Sequence, residues 1–274
     1  MTIVSFLSAA MQAQTKRALV ICLGQQEDKA WPKINGDKDM AYVQEMLNNS
    51  GFTSIVKLVN EKATKANIVG EFNKLAKSCK TGDIVYVHYS GHGQQMMDVH
   101  NDETDGLDEC WIPYDAYRSP CAKDRGEKHL TDDEINKYLN NIRNKVGDSG
   151  KILVVIDACH SGDGTRGDED EVVRGVAEIF ETDDVANPDA RPNDERWITL
   201  SACESNQVNI EMKNPIVGKL TYAIYKNIQE IPNGDNNSFM RQLRMFMNKN
   251  TGSRPQRPVL SGETNRYKIT DIIR

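Results

Sequence analysis

The chain is short of the features that would make it a metal ribbon, a membrane span or a nucleic-acid binder. It has six cysteines but no C-x-x-C pair, so a zinc ribbon or thioredoxin-type motif lacks its ligands. No segment approaches the roughly 18 uncharged apolar residues that spanning a bilayer requires. Positive charge is not in excess: 34 Lys and Arg against 40 Asp and Glu leave a formal charge of −6. Neither nucleic acid nor an anionic membrane is therefore expected as the main partner. Internal repeats and low-complexity segments are absent. With 38% hydrophobic residues over 274 positions there is material for a sizeable core, which excludes wholesale disorder.

Ile3–Met11 is an apolar run followed by Gln12, Ala13, Gln14 and Thr15. It reads as the hydrophobic region and small-residue cleavage zone of a secretory signal, although no basic residue precedes it. Residues 1–14 are set aside on that reading, which implies export to a periplasm or the outside. The alternatives are an N-terminal strand or a frayed tail. Residues 15–274 are expected to form one domain.

Apolar runs then alternate with amphipathic stretches. Arg17–Gly24, Ile55–Val59, Ile84–Tyr89, Lys151–Ile156 and Arg196–Leu200 read as buried strands. Asp37–Asn49 carries Met40, Val43, Met46 and Leu47 at helical spacing and closes at Gly51. Thr64 caps a helix with Ile68, Phe72, Leu75, Ala76 and Cys79 on one face, and Thr131 opens one with Ile135, Leu139, Ile142 and Val146 inward. Two more helices are expected near Val217–Ile228 and Ser238–Asn248, and a last strand at Pro258–Leu260 or Tyr267–Ile272. The stretch from Gly91 to Lys128 is polar, and 163–195 is an acidic flexible region with one short helix around Val172–Phe180. The alternation predicts an α/β fold: a mostly parallel central sheet with helices on both faces. Such sheets bind ligands at the carboxyl ends of their strands.

Two motifs fall at those ends. Tyr89-Ser90-Gly91-His92-Gly93 follows the third strand, and Asp157-Ala158-Cys159-His160-Ser161-Gly162 follows the fourth. A thiol with an ordinary pKa near ~8.5 is mostly protonated at neutral pH, and a facing imidazole activates it. His92 and Cys159 are the candidate base and nucleophile, with the N–H groups of Gly93 and Cys159 as candidate oxyanion donors. His160 adjoins Cys159 in sequence, and successive side chains diverge, so a structural role within the turn is expected for it. Cys22 and Cys203 sit in apolar runs as small core residues, and Cys110–Cys121 is the one disulfide candidate.

Together these motifs resemble the signature of metacaspases and bacterial caspase-like cysteine peptidases. The resemblance extends over nearly the whole chain after residue 16, through Asp39, Trp111-Ile112-Pro113, Leu200–Cys203, Leu220–Ala223 and Gln256–Pro258. It implies a three-layer caspase-like sandwich and a Cys-His dyad that cuts after Arg or Lys. Asp157 shares a strand face with Cys159, and Asp39 begins the first helix near the same edge. With Ser90 they would form an acidic pocket for a guanidinium or ammonium. The resemblance also implies calcium at Asp108, Asp132 and Asp133, although the fourth position falls near Arg166, with Asp163 and Asp168 close by. An Arg-rich exposed loop beside an Arg-selective site suggests self-processing at Arg166, Arg174, Arg191 or Arg196. The expected partners are proteins and peptides with a basic residue before the cut. The rival functions are a silent caspase-like binding or sensing module, and a transpeptidase or Asn-specific hydrolase using the same dyad.

Overall fold

A computed structural model describes residues 14–98, 106–160, 171–182, 195–228, 230, 233–250 and 254–274. The expected signal segment, apart from Gln14, lies outside the described residues, as do Asp163, Arg166, Asp168 and Arg191. In chain order the elements are β1 (Lys16–Cys22), α1 (Gly36–Asn49), β2 (Ser54–Val59), α2 (Lys65–Ser78), β3 (Ile84–Ser90), β4 (Gly93–Met97), β5 (Leu107–Trp111), β6 (Leu130–Thr131), α3 (Asp132–Val146), β7 (Lys151–Asp157), β8 (Ile198–Ser201), β9 (Glu211–Lys213), β10 (Ile216–Gly218), α4 (Lys219–Asn227), α5 (Asn236–Lys249) and β11 (Val259–Gly262).

The central sheet runs β2-β1-β3-β7-β8-β11, with every pairing parallel except that of β11 on β8. Its inner strands β1, β3 and β7 are largely buried on both faces, as packing between two helical layers requires. Ala18, Val20 and Cys22 of β1 face the layer of α1, α4 and α5, against Val43, Leu220 and Phe239. Leu19 and Ile21 face the layer of α2 and α3, against Phe72 and Leu139. Thr64 and Thr131 cap α2 and α3 by accepting from Asn67 N and Glu134 N. Gly51 and Gly147, just past α1 and α3, take φ of +76° and +62°. Among the described residues no helix is long and apolar enough to cross a membrane.

Three differences from the sequence reading bear on the site. The polar stretch after Gly91 holds a second sheet, β4-β5-β6, whose strand β4 is masked in sequence by Gln94 and Gln95. Tyr267–Ile272 is not a strand; it contains a 3₁₀ turn at Ile269–Asp271, and β11 is the last strand. Val172–Phe180 is extended rather than helical. Its apolar positions 172, 176 and 180 fit a helix, but the edges of β4 and β9 supply backbone partners that its β-branched valines suit better. Glu211 N donates to Val172 O, Val176 N to Gly93 O and Phe180 N to Gln95 O.

The register places Cys22, Ser90 and Asp157 side by side on β1, β3 and β7 at the carboxyl edge of the sheet. Gly36 lets α1 start close over that edge, because a Cβ there would collide with the Leu23 carbonyl. The first turn of α1 thereby delivers Asp39 above Ser90 and Asp157.

Candidate active site

Asp39, Ser90 and Asp157 are fully buried around one crevice, and Glu211 of β9 closes it from the side. The guanidinium of Arg174 fills the crevice. Its Nη1 lies 2.6 Å from Asp39 Oδ2, 2.5 Å from Ser90 Oγ and 3.6 Å from Asp157 Oδ1. Nη2 donates to Asp39 Oδ1 at 3.2 Å, and Nε to Glu211 Oε1 at 3.0 Å. The carboxylates are held in turn. Asp39 accepts from the Ser90 hydroxyl and from Gly218 N at 2.8 Å. Asp157 accepts from Asn209 Nδ2 at 2.7 Å and from Thr221 N at 2.8 Å and Oγ1 at 2.7 Å. Glu211 accepts from Asn35 N at 2.7 Å and Nδ2 at 2.6 Å.

Burial pushes the Asp39 carboxyl above its ordinary range against the pull of Arg174. Burial acts the same way on Asp157, but Arg174, Thr221 and Asn209 outweigh it and hold that carboxyl low. Burial also works against the charge on Arg174, and Asp39, Asp157 and Glu211 more than reverse it. Three buried carboxylates around one guanidinium form a pocket that needs a cation, since a buried charge without a partner costs several kcal/mol. The planar fork of arginine answers that need with directed hydrogen bonds. Sequence reasoning reached Asp39, Ser90 and Asp157 but missed Glu211, Asn35 and Asn209. Thr221 had a faint signal, lying within the Leu220–Ala223 stretch.

The backbone of Arg174 is held as firmly as its side chain. Its carbonyl oxygen accepts from Cys159 N at 2.9 Å and from Gly93 N at 3.2 Å. Its own N–H donates to Asn209 O at 2.9 Å. Gly175 follows in a parallel bridge with Gly93. It lies so close that a Cβ there would meet the Cys159 carbonyl carbon at 3.0 Å and Cys159 Cβ at 3.2 Å. The link from Arg174 to Gly175 thus rests on Cys159.

His92 is buried next to Gly93, with its ring 5.0 Å from that of Trp31. Its Nε2 lies 2.8 Å from Pro32 O, an acceptor only, so the ring proton sits on Nε2. Nδ1 is left as a buried lone pair with no hydrogen-bond partner among the described residues. Burial takes the pKa of His92 down to about 4, so the ring is neutral at physiological pH. The Cys159 thiol donates to Gln207 O at 3.0 Å. Cys203 approaches the same carbonyl at 3.4 Å and contacts Cys159, and that contact together with burial drives its pKa upward. Cys203 is thus a half-buried neighbour of Cys159 rather than a core residue.

His160 is half-buried and hydrogen-bonds the backbone of Cys110, while the turn that follows it lies outside the described residues. Cys110 and Cys121 are both free thiols, because Cys110 is sealed in the core of the second sheet while Cys121 is tied to Asp124 in a tight loop. Arg196 is turned away from the crevice and donates to Asn140 and Asn144 on α3. Asp108 lies buried on β5, and Asp132 and Asp133 open α3. Among the described residues no group of three or more His, Cys, Asp or Glu is placed to hold a metal ion, and Asp163 and Asp168 lie outside them.

Three other histidines share the low pKa of His92. Burial takes His88 and His160 to about 4 as well, and His129 to about 3. The unfolded chain binds these protons near the ordinary value of about 6.5. Each histidine therefore contributes stability that is present above pH ~6.5 and lost as pH falls toward its folded value, on the order of 3 kcal/mol apiece. Their sum is comparable to the roughly 5–15 kcal/mol that holds a domain together. Circular dichroism followed downward from neutral pH is expected to show cooperative unfolding before about pH 4; a chain still native at about pH 3 contradicts this.

Comparison with known proteins bears on the fold and the family. The profile of the caspase domain matches residues 15–269. Metacaspase-2 of Arabidopsis thaliana is 27% identical over 237 residues, which is 78% of this chain and 52% of the relative. Metacaspase-1A of Aspergillus oryzae is 32% identical over 159 residues, 54% of this chain and 35% of the relative. The chain thus spans about half or less of the curated relatives it matches. Among solved structures, a Geobacter sulfurreducens protein superposes with a TM-score of 0.66 at 20% identity, covering 95% of this chain and 97% of that one. Caspase-1 of Spodoptera frugiperda gives 0.61 at 10% identity, covering 91% and 86%. The three-layer sandwich is the caspase fold, and the chain belongs to the caspase domain family.

Proposed function

We propose that the protein is a cysteine endopeptidase that cuts after arginine, and less readily after lysine, and that it is held here as a precursor with its own Arg174 in the specificity pocket. One observation carries the reading. The Arg174 carbonyl oxygen sits between the N–H groups of Gly93 and Cys159 while its guanidinium fills the carboxylate crevice. This is the pose a substrate needs for acyl transfer.

The reaction then follows from the groups in place. The thiol leaves Gln207 O and gives its proton to His92 Nδ1. The sulfur attacks the Arg174 carbonyl carbon, and the two N–H groups receive the charge that develops on oxygen. The imidazolium returns its proton to the departing Gly175 nitrogen. A water activated by the same Nδ1 hydrolyses the thioester and frees the Arg174 carboxylate. Further substrates enter once residues 171–174 give up the groove.

Fluorogenic peptides differing only in Arg, Lys, Asp or Asn before the cut test the pocket. Turnover is expected with Arg and Lys; turnover of Asp or Asn peptides alone overturns the assignment. Glu211 touches Nε, where a lysine side chain carries only methylene. Glu211→Gln is therefore expected to lower kcat/KM for Arg peptides about tenfold or more while Lys peptides change little, since a charged hydrogen bond contributes about 1.5–3 kcal/mol. An unchanged Arg/Lys ratio contradicts that role.

A further inference from the structure

Resting on that reading of Arg174, we propose that the subsite for the fourth residue counted back from the cut is basic and selects an acidic side chain, its cations being Lys219 and Arg254. The segment before Arg174 lies as an added strand on β9. Arg174 N donates to Asn209 O, Val173 bridges Ile210 antiparallel, and Glu211 N donates to Val172 O. An extended strand alternates its side chains, so Arg174 enters the carboxylate crevice while Val173 and Glu171 take the other side. Val173 packs on the apolar cluster of Val208 and Ile210 beside Cys159.

Glu171 comes next on that side, and its surroundings are made for an anion. Its side chain is only 3% exposed and stands 3.7 Å from Arg254 Nε, whose side chain is 13% exposed. Lys219, at the first residue of α4, is 1% exposed, and its Nζ has no hydrogen-bond partner among the described residues. Burial pulls the Lys219 pKa down, and Glu171 is the largest influence acting against it, ahead of Asp157. A buried ammonium is tolerated only beside negative charge. In the precursor Glu171 is part of that charge. When residues 171–174 leave the groove, Lys219 and Arg254 remain on α4 and on the segment before β11, and an acidic substrate residue restores the neutrality that Glu171 gave. The carboxylate crevice and this basic subsite thus ask for opposite charges three residues apart.

The test uses acetylated tetrapeptide aminomethylcoumarides of sequence Glu-Val-Val-Arg, Gln-Val-Val-Arg and Lys-Val-Val-Arg on the processed protein. The Glu peptide is expected to exceed the Lys peptide in kcat/KM by about 10- to 100-fold, mostly through KM, with Gln between. In Arg254→Glu the order narrows or reverses while the Gln peptide is still turned over, which separates lost charge from lost folding. If all three peptides are cleaved within about twofold of one another, the basic subsite is wrong and the peptidase reading stands. If none is cleaved, the peptidase reading falls and the subsite with it.

Discussion

Asp39→Asn is expected to lower kcat/KM toward Arg peptides by about 10²- to 10³-fold, with little change for a variant such as Lys74→Ala on the exposed face of α2. Among the described residues, Asp39 is the carboxylate of the crevice that meets two guanidinium nitrogens at once, at 2.6 and 3.2 Å. Asparagine keeps the volume and one acceptor but removes the charge that compensates a fully buried cation. Gly218→Ala tests the same pocket by shape. A Cβ at Gly218 would stand 2.5 Å from both Arg174 Nη1 and Asp39 Oδ2. The backbone there, at φ −59° and ψ 132°, accepts alanine without strain, so the obstruction is purely local. A loss comparable to that of Asp39→Asn is expected, read by initial rates and checked against the thermal midpoint. Turnover within about threefold of the parent in both variants contradicts the pocket.

The second large effect concerns the base and the nucleophile. Cys159→Ala is expected to abolish turnover and to leave the chain uncut. His92→Ala is expected to slow turnover by about 10²- to 10⁴-fold, the range that a positioned general base supplies. His92→Gln separates chemistry from structure, because its amide can still donate to Pro32 O but offers no basic nitrogen on the other side. If the imidazole acts only as packing against Trp31, the glutamine variant keeps most of the rate. If Nδ1 takes the thiol proton, the two variants are equally slow at an unchanged thermal midpoint.

Much of this arrangement was legible in the sequence because it is local. Ile152–Ile156 is apolar throughout, which marks a strand covered on both faces, and the residues after it must lie at a sheet edge. His92 and Cys159 stand in glycine-flanked loops at two such edges, and the structure puts those loops against one another. What escaped the sequence is long-range. Glu211 enters the crevice only because β9 folds back on Asn35, 176 residues away in the chain. Arg174 was one of four arginines of equal standing. The choice among them rests on unpaired backbone groups along β4 and β9, which no local pattern reveals. The same pairing turned Val172–Phe180, helical in spacing, into an extended segment.

In this reading the link between Arg174 and Gly175 lies in a working site. Intact-mass analysis of freshly made and incubated protein, beside Cys159→Ala, tests this most directly. Two pieces meeting at Arg174 and Gly175, absent from the Cys159→Ala sample, are predicted. A chain that turns over Arg peptides yet stays whole, or that is cut at Arg166, Arg191 or Arg196 with Arg174–Gly175 intact, would contradict it.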